Sequence, residues 1–314
     1  MIAAVFPGQG SQLAGMGREL LGCGPDALKL VPLAEEVTGL PVEEWLTRAD
    51  AATLADPQVA HLTVFVYSSV LWHELRQRGA RPVVLAGHSL GEYSALAAAR
   101  CLEWHTALEI VAYRGRVMAE SARQRSGTMG AIVGLSTQAV EQLCAAHSTG
   151  SGVVVVANLN SPRQSVISGT ENEVLAVLDA ARQRGAMRAR RIPVGGAYHS
   201  PLMARAQESL DGMIAGVRLD APRVRLVSSV TGRDVTDVEA YRGELRYQMT
   251  RPVRWRDVVA ALHESEVDTV WEVGPGRVLT GLGREMARER DLGTRHLTGR
   301  ELAATAPALV GRRG

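Results

Sequence analysis

Two kinds of segment alternate along the chain. Short runs rich in Ile, Val and Ala, at residues 2–6 and 83–86, have the length of buried strands, and each ends in a glycine-containing turn. Between them, residues 59–78 keep a helical period and are entered through Asp56-Pro57, a pair suited to a helix N-cap and first turn. Residues 90–100 are Ala-rich and helical, and residues 106–122 repeat the period. Strand-like runs alternating with amphipathic stretches predict an α/β protein with a largely parallel sheet.

The texture changes after Ser126-Gly127. From there to about Pro193 the predicted order is strand (129–134), helix (137–147), strand (153–158), strand (164–168), helix (171–183), strand (187–192). That βαββαβ order is the ferredoxin-like split unit. It divides the chain into a discontinuous large domain, residues 1–126 and 194–314, and an inserted small domain, residues 127–193. Strand-like residues 226–229 and 269–273 and a helical 254–263 continue the α/β pattern. The tail, 303–314, ends in Gly-Arg-Arg-Gly and is expected to fray.

Composition narrows the function classes. With 314 residues, 46% hydrophobic and 22% charged, the chain can bury a large core, and a formal net charge of +2 excludes the strongly basic footprint of a general nucleic-acid binder. Lys29 is the single lysine, so nearly every basic residue is arginine. Cys23, Cys101 and Cys144 are too few and too scattered for a disulfide framework or a thiolate metal site, and no H-E-x-x-H or phosphate-loop pattern occurs. No metal or bound cofactor is expected. The apolar start is only a strand long and lacks a preceding basic region, and no apolar run reaches the roughly 18 residues that span a bilayer. A cytoplasmic setting without a membrane partner follows as the expectation.

The sharpest chemical signal is Gly87-His88-Ser89-Leu90-Gly91 between a predicted strand and a predicted helix. This is G-x-S-x-G, a nucleophile elbow: its glycines admit the tight approach of strand and helix, and the serine is presented near a helix N-terminus that favours developing negative charge. Serine needs a base. Of eight histidines, His73, His105, His147 and His263 lie in polar or helical stretches, His61 faces along a helix as a core or pocket-lining residue, and His88 points away from its neighbour Ser89. His199, in Gly195-Gly196-Ala197-Tyr198-His199-Ser200-Pro201, follows the small domain, where a catalytic side chain can be held at a cleft. Spacing alone does not separate it from a loop histidine without a role.

These motifs, in order, resemble the malonyl-CoA:acyl carrier protein transacylase family, freestanding relatives of the acyltransferase domains of fatty-acid and polyketide synthases. The resemblance runs from Phe6-Pro7-Gly8-Gln9-Gly10-Ser11-Gln12 through the Ser89 elbow, Arg114-Gly115, Asn158-Leu159-Asn160-Ser161-Pro162, the His199 loop and Arg251-Pro252-Val253-Arg254-Trp255 to Glu272-Val273-Gly274-Pro275-Gly276. It implies an α/β-hydrolase-like large domain. It also implies Ser89 as nucleophile, His199 as base, the backbone N–H groups of Gln9 and Leu90 as oxyanion donors, and the carbonyl of Arg251 as the group that orients the histidine. Arg114 would grip the free carboxylate of malonyl through the planar fork of a guanidinium; a solvated helix arginine describes Arg116 better. Gln58 and Asn160 match residues near the site.

Before the histidine, malonyl-selecting polyketide acyltransferases read His-Ala-Phe-His and methylmalonyl ones Tyr-Ala-Ser-His. Here Tyr198 resembles the malonyl pattern by filling space beside the α-carbon, as does Leu90 after the serine, while Gly196 would open room. Arg163, Arg188, Arg190 and Arg191 make a basic patch, read either as a solvated strand edge or as a dock for an acidic acyl carrier protein. The implied substrates are an acyl-CoA, malonyl-CoA first, and a carrier protein whose phosphopantetheine thiol accepts the acyl group. Rivals are an editing hydrolase of acylated carrier proteins, a carrier-to-carrier acyltransferase, and a silent docking module.

Overall fold

The computed structural model describes residues 1–124, 127–148, 150, 152–290 and 293–309. Ser126, the expected end of the first large-domain segment, and residues 310–314 of the tail lie outside them. Nine strands among the described residues form two sheets: β1 (Ile2–Phe6), β2 (Val84–Gly87), β3 (Thr128–Val133), β4 (Val154–Ser161), β5 (Gln164–Gly169), β6 (Arg188–Ile192), β7 (Arg225–Val227), β8 (Thr269–Glu272) and β9 (Arg295–Leu297). The first sheet has the order β7-β2-β1-β8-β9 with every pair parallel. The second has the order β4-β5-β3-β6 with every pair antiparallel.

The central strands β1 and β2 read as unbroken apolar runs because both faces are covered. Ala4, Phe6 and Leu85 enter the larger core, beneath helices Pro57–Gln77 and Trp104–Gln124. Their alternates Ala3, Val5, Val84 and Ala86 enter a second core with Val258, Leu262, Leu282 and Met286. A third core, around Ile132, Val140, Ile167 and Leu178, belongs to the antiparallel sheet and its two helices, Thr137–His147 and Glu171–Gln183.

Helix Pro57–Gln77 starts where the Asp56-Pro57 signal put it: the Asp56 carboxylate accepts from Gln58 N–H at 2.8 Å. It is buried nearly all round, and it tolerates Thr63 and Ser69 inside because their hydroxyls donate back to Val59 and Phe65 carbonyls at 2.8 Å. The tail departs from expectation. Gly299–Leu309 is helical, with Glu301 accepting from Thr298 N–H at 2.7 Å near its start. The edge strand β9 had no strand-length apolar run to betray it. No described helix is long and apolar enough to cross a membrane.

Two features position the site. Register places Phe6 opposite Gly87, so the chain leaves β1 and β2 side by side at the carboxyl edge of the parallel sheet, the edge at which α/β folds build sites. The antiparallel sheet is tied to the same region by Asn158 and Val253, with Leu159 N–H donating to Val253 O and Val253 N–H to Ala157 O, both at 2.8 Å.

Candidate active site

The elbow is as tight as its glycines suggest. A Cβ added at Gly91 would collide with the carbonyl group of Phe6, so helix Gly91–Ala98 can begin directly above β1 only without a side chain there. Ser89 is held at φ 55° and His199 at φ 57°, two of only four non-glycine residues with left-handed backbone among those described. Such conformations cost of order 1–3 kcal/mol and persist where surrounding structure enforces them.

Ser89 Oγ lies 2.7 Å from His199 Nε2. On the other side of the ring, Nδ1 faces two carbonyl oxygens, Gln248 O at 2.9 Å and Arg251 O at 3.0 Å. Two acceptors require Nδ1 to carry the proton, which leaves the Nε2 lone pair for the serine hydroxyl. The sequence reading named Arg251 and missed Gln248. His199 is 5% exposed. Burial, with smaller contributions from Arg114 and His88, pushes its pKa down to about 3, so the ring is a neutral base at neutral pH.

Arg114 reaches the same point from helix Trp104–Gln124. Its guanidinium donates from Nη2 to Ser89 Oγ at 3.2 Å and from Nη1 to His61 Nε2, also at 3.2 Å. The residue is 1% exposed, and no carboxylate pairs with it among the described residues. Burial lowers its pKa, opposed in part by Tyr93 and by the charge of Glu92. His61 takes the core alternative of its two sequence readings: it is fully buried behind Arg114 and does not line the cavity over Ser89, and burial and the Arg114 cation hold its pKa well below the ordinary range.

A cavity of about 230 Å³ opens over Ser89, Arg114 and His199, lined also by Gln9, Tyr198 and Asn160 and walled from the antiparallel sheet by Met129 and Val166. The backbone N–H groups of Gln9 and Leu90 have no hydrogen-bond partner among the described residues. Leu90 N lies 3.5 Å from where a Gly8 Cβ would stand, so the loop carrying Gln9 runs beside the elbow. Asn160 reaches the site through its Oδ1, 3.3 Å from His88 Nε2, and His88 packs edge-on against Trp255.

Three expectations fare differently. Gln58 does not line the cavity; it is half-buried, and its backbone packs against Gly115, whose missing Cβ would lie 2.8 Å from Gln58 Cα. Gly196 opens no room: the space beside it is taken by the Tyr198 ring, 2.8 Å from an added Cβ, and by Ala122. The basic patch is split. On edge strand β6, Arg188 and Arg190 are exposed with no ion pair among the described residues, but Arg191 pairs with Glu171 at 2.6 Å, and Arg163 donates to Gly134 O at 2.8 Å. No group of three His, Cys, Asp or Glu side chains among the described residues could hold a metal ion.

A family model described as acyl transferase domain matches residues 4–307. A malonyl CoA-acyl carrier protein transacylase of Synechocystis is 38% identical over 290 residues, covering 92% of this chain and 95% of that protein. The malonyl CoA-acyl carrier protein transacylase of Coxiella burnetii superimposes with a TM-score of 0.93 at 33% identity, covering 99% of this chain and 97% of that one. A malonyl-transacylase solved in complex with a type II polyketide synthase acyl-carrier protein gives a TM-score of 0.91 at 31% identity, covering 97% and 98%. Motif order, fold and extent of match agree, and the chain belongs to the malonyl-CoA:acyl carrier protein transacylase family.

Proposed function

We propose that this chain transfers malonyl from CoA to the phosphopantetheine thiol of an acyl carrier protein through an acyl-Ser89 intermediate. One observation carries the choice of acyl group: a guanidinium 1% exposed, without a carboxylate partner among the described residues, 3.2 Å from Ser89 Oγ. A buried cation with no carboxylate in direct contact is costly to the free protein, and a substrate carboxylate offsets that cost where the fork can take it bidentately.

The chemistry proceeds in two halves. His199 Nε2 takes the Ser89 proton as Oγ attacks the thioester carbonyl carbon, and the oxyanion accepts from the N–H groups of Gln9 and Leu90. Collapse breaks the C–S bond, and the departing CoA sulfur takes the proton from His199. The carrier thiol then gives its proton to His199 and attacks the ester; Ser89 leaves and recovers that proton. The carbonyls of Gln248 and Arg251 keep the ring in the required tautomer and steady the imidazolium that forms.

The architecture in this reading is an α/β-hydrolase-like catalytic unit, residues 1–126 and 194–314, with an inserted ferredoxin-like unit, 127–193, whose edge strand β6 offers Arg188 and Arg190 to an acidic carrier protein. Asn160 and Tyr198 shape the acyl pocket, and the enzyme acts in the cytoplasm. Intact-mass spectrometry after brief exposure to acyl-CoAs, then to a holo carrier protein, tests the reading. A malonyl adduct on Ser89 that moves to the carrier supports it. An adduct formed only from acylated carrier proteins favours carrier-to-carrier transfer, and an adduct released only to water favours the editing hydrolase.

A further inference from the structure

Glu92 follows the elbow glycine directly, in the first turn of helix Gly91–Ala98, and is 0% exposed. A carboxylate buried that deeply needs its lone pairs filled. Oε1 accepts from Ser229 N–H at 3.1 Å and from Tyr241 O–H at 2.7 Å; Oε2 accepts from Ser229 O–H and Gln248 Nε2, both at 2.7 Å. Four donors thus converge from three segments lying between 137 and 156 residues away along the chain.

Gln248 is the informative partner. Its Nε2 donates both to Glu92 and to the Ser89 carbonyl at 3.0 Å, while its own backbone carbonyl accepts from His199 Nδ1 at 2.9 Å. Its Oε1 is buried without a partner, so the amide is held in this orientation by the two bonds it donates. One glutamine therefore touches the backbone of the nucleophile and the ring of the base, and Glu92 holds the end of its side chain. Within the elbow itself, nothing else among the described hydrogen bonds links the Ser89 backbone to the segment that orients His199.

We infer that Glu92 is a positioning residue: it clamps Gln248 so that the histidine-orienting carbonyl and the strained Ser89 backbone stay in register, keeping Oγ and Nε2 within hydrogen-bond reach. The inference rests on Ser89 and His199 acting as the pair proposed above. Glu92→Gln is the near-isosteric test. A carboxamide offers one acceptor oxygen instead of two, so in either orientation its NH₂ faces an N–H donor, Gln248 Nε2 or Ser229 N–H, and the cradle that holds the Gln248 amide is broken.

The readout is the second-order rate constant for Ser89 modification by a fluorophosphonate, which depends on the serine–histidine geometry and on no acyl donor. A displacement of about 1 Å at reacting groups costs on the order of 100-fold. Glu92→Gln should lower that constant about 100-fold, and Glu92→Asp, which keeps both acceptor oxygens, should recover part of it. Gln248→Ala keeps the backbone carbonyl but removes the clamp, so it should show the same loss, with little added in the double variant. If Glu92→Gln fails to fold, Gln248→Ala decides alone. A rate constant within about threefold of wild type in the folded variant, per folded protein by circular dichroism, overturns the inference. Fast labelling of the wild type without malonyl transfer would instead count against the proposed substrate and leave the clamp standing.

Discussion

Removing the Arg114 guanidinium should separate carboxylated from uncarboxylated acyl groups. In the free protein Arg114 is buried, unpaired with any described carboxylate, and hydrogen-bonded to Ser89 Oγ and His61 Nε2. With Arg114→Ala, a malonyl carboxylate entering the cavity would be buried without its cation. Breaking a buried pair by deleting one partner costs about 3–5 kcal/mol. At about 1.4 kcal/mol per decade, kcat/KM for malonyl-CoA should fall by roughly two to four orders of magnitude. An acetyl thioester has no carboxylate to lose a partner. The same substitution frees an Ser89 Oγ lone pair from the Nη2 donor and removes a cation that holds down the basicity of His199, so acetyl transfer should rise. The assay compares kcat/KM for malonyl-CoA and acetyl-CoA with one holo carrier protein as acceptor. Equal losses on both substrates would show that Arg114 serves the structure of the pocket and would refute the carboxylate clamp.

Other consequences follow from the burial of titratable groups and the crowding of the His199 loop. His61, His88, His199 and His296 are all held below the ordinary histidine value chiefly by burial, His88 and His296 to about 4 and His199 to about 3. The unfolded chain binds these protons first, so the stability associated with the neutral rings is fully present above about pH 6.5 and is lost as pH falls toward 4. The slope is about 1.4 kcal/mol per pH unit for each histidine taking up a proton, and urea melts at pH 7.5, 6 and 5 should show midpoints falling steeply; flat midpoints would contradict the burial. Cys23, Cys101 and Cys144 are buried free thiols raised to about 11, 11 and 12, so a thiol reagent should label none in the native protein and all three in denaturant. Gly196→Ala should push the Tyr198 ring toward the acyl cavity and raise KM for malonyl-CoA several-fold with the fold intact, measured by steady-state kinetics and thermal melting; an unchanged KM would mean that the ring yields elsewhere.

Much of this protein is legible along the chain because it is set by short-range physics. Strands β1 and β2 show as apolar runs because both sheet faces are covered, and the helices Thr137–His147 and Glu171–Gln183 show because one face of each repeats toward a core. The elbow is legible because its glycines, Gly87 and Gly91, answer a steric demand that no other residue meets. Through the resemblance its motifs carry, the chain also pointed to Ser89, His199 and Arg114, which the fold draws into one cavity.

What the sequence left open depends on contacts between distant segments. Only the folded chain separates His199, with both ring nitrogens engaged at the cavity, from His263, which lies on a helix away from it. Gln248 carries no local signal, because its part is played by a backbone carbonyl, which every residue has, and by an amide aimed at Ser89 and Glu92 across more than 150 residues. The missing side chain of Gly196 suggested space that Tyr198 occupies, Gln58 packs through its backbone, and Arg191 is paired where Arg188 and Arg190 have no ion pair among the described residues. Patterning by period and turn chemistry is local, so the sequence by itself determined the elements and the residue types of the site. Which of those residues meet, and whether the Arg114 charge finds a partner, only the tertiary structure decided, because distance and burial are properties of the packed chain.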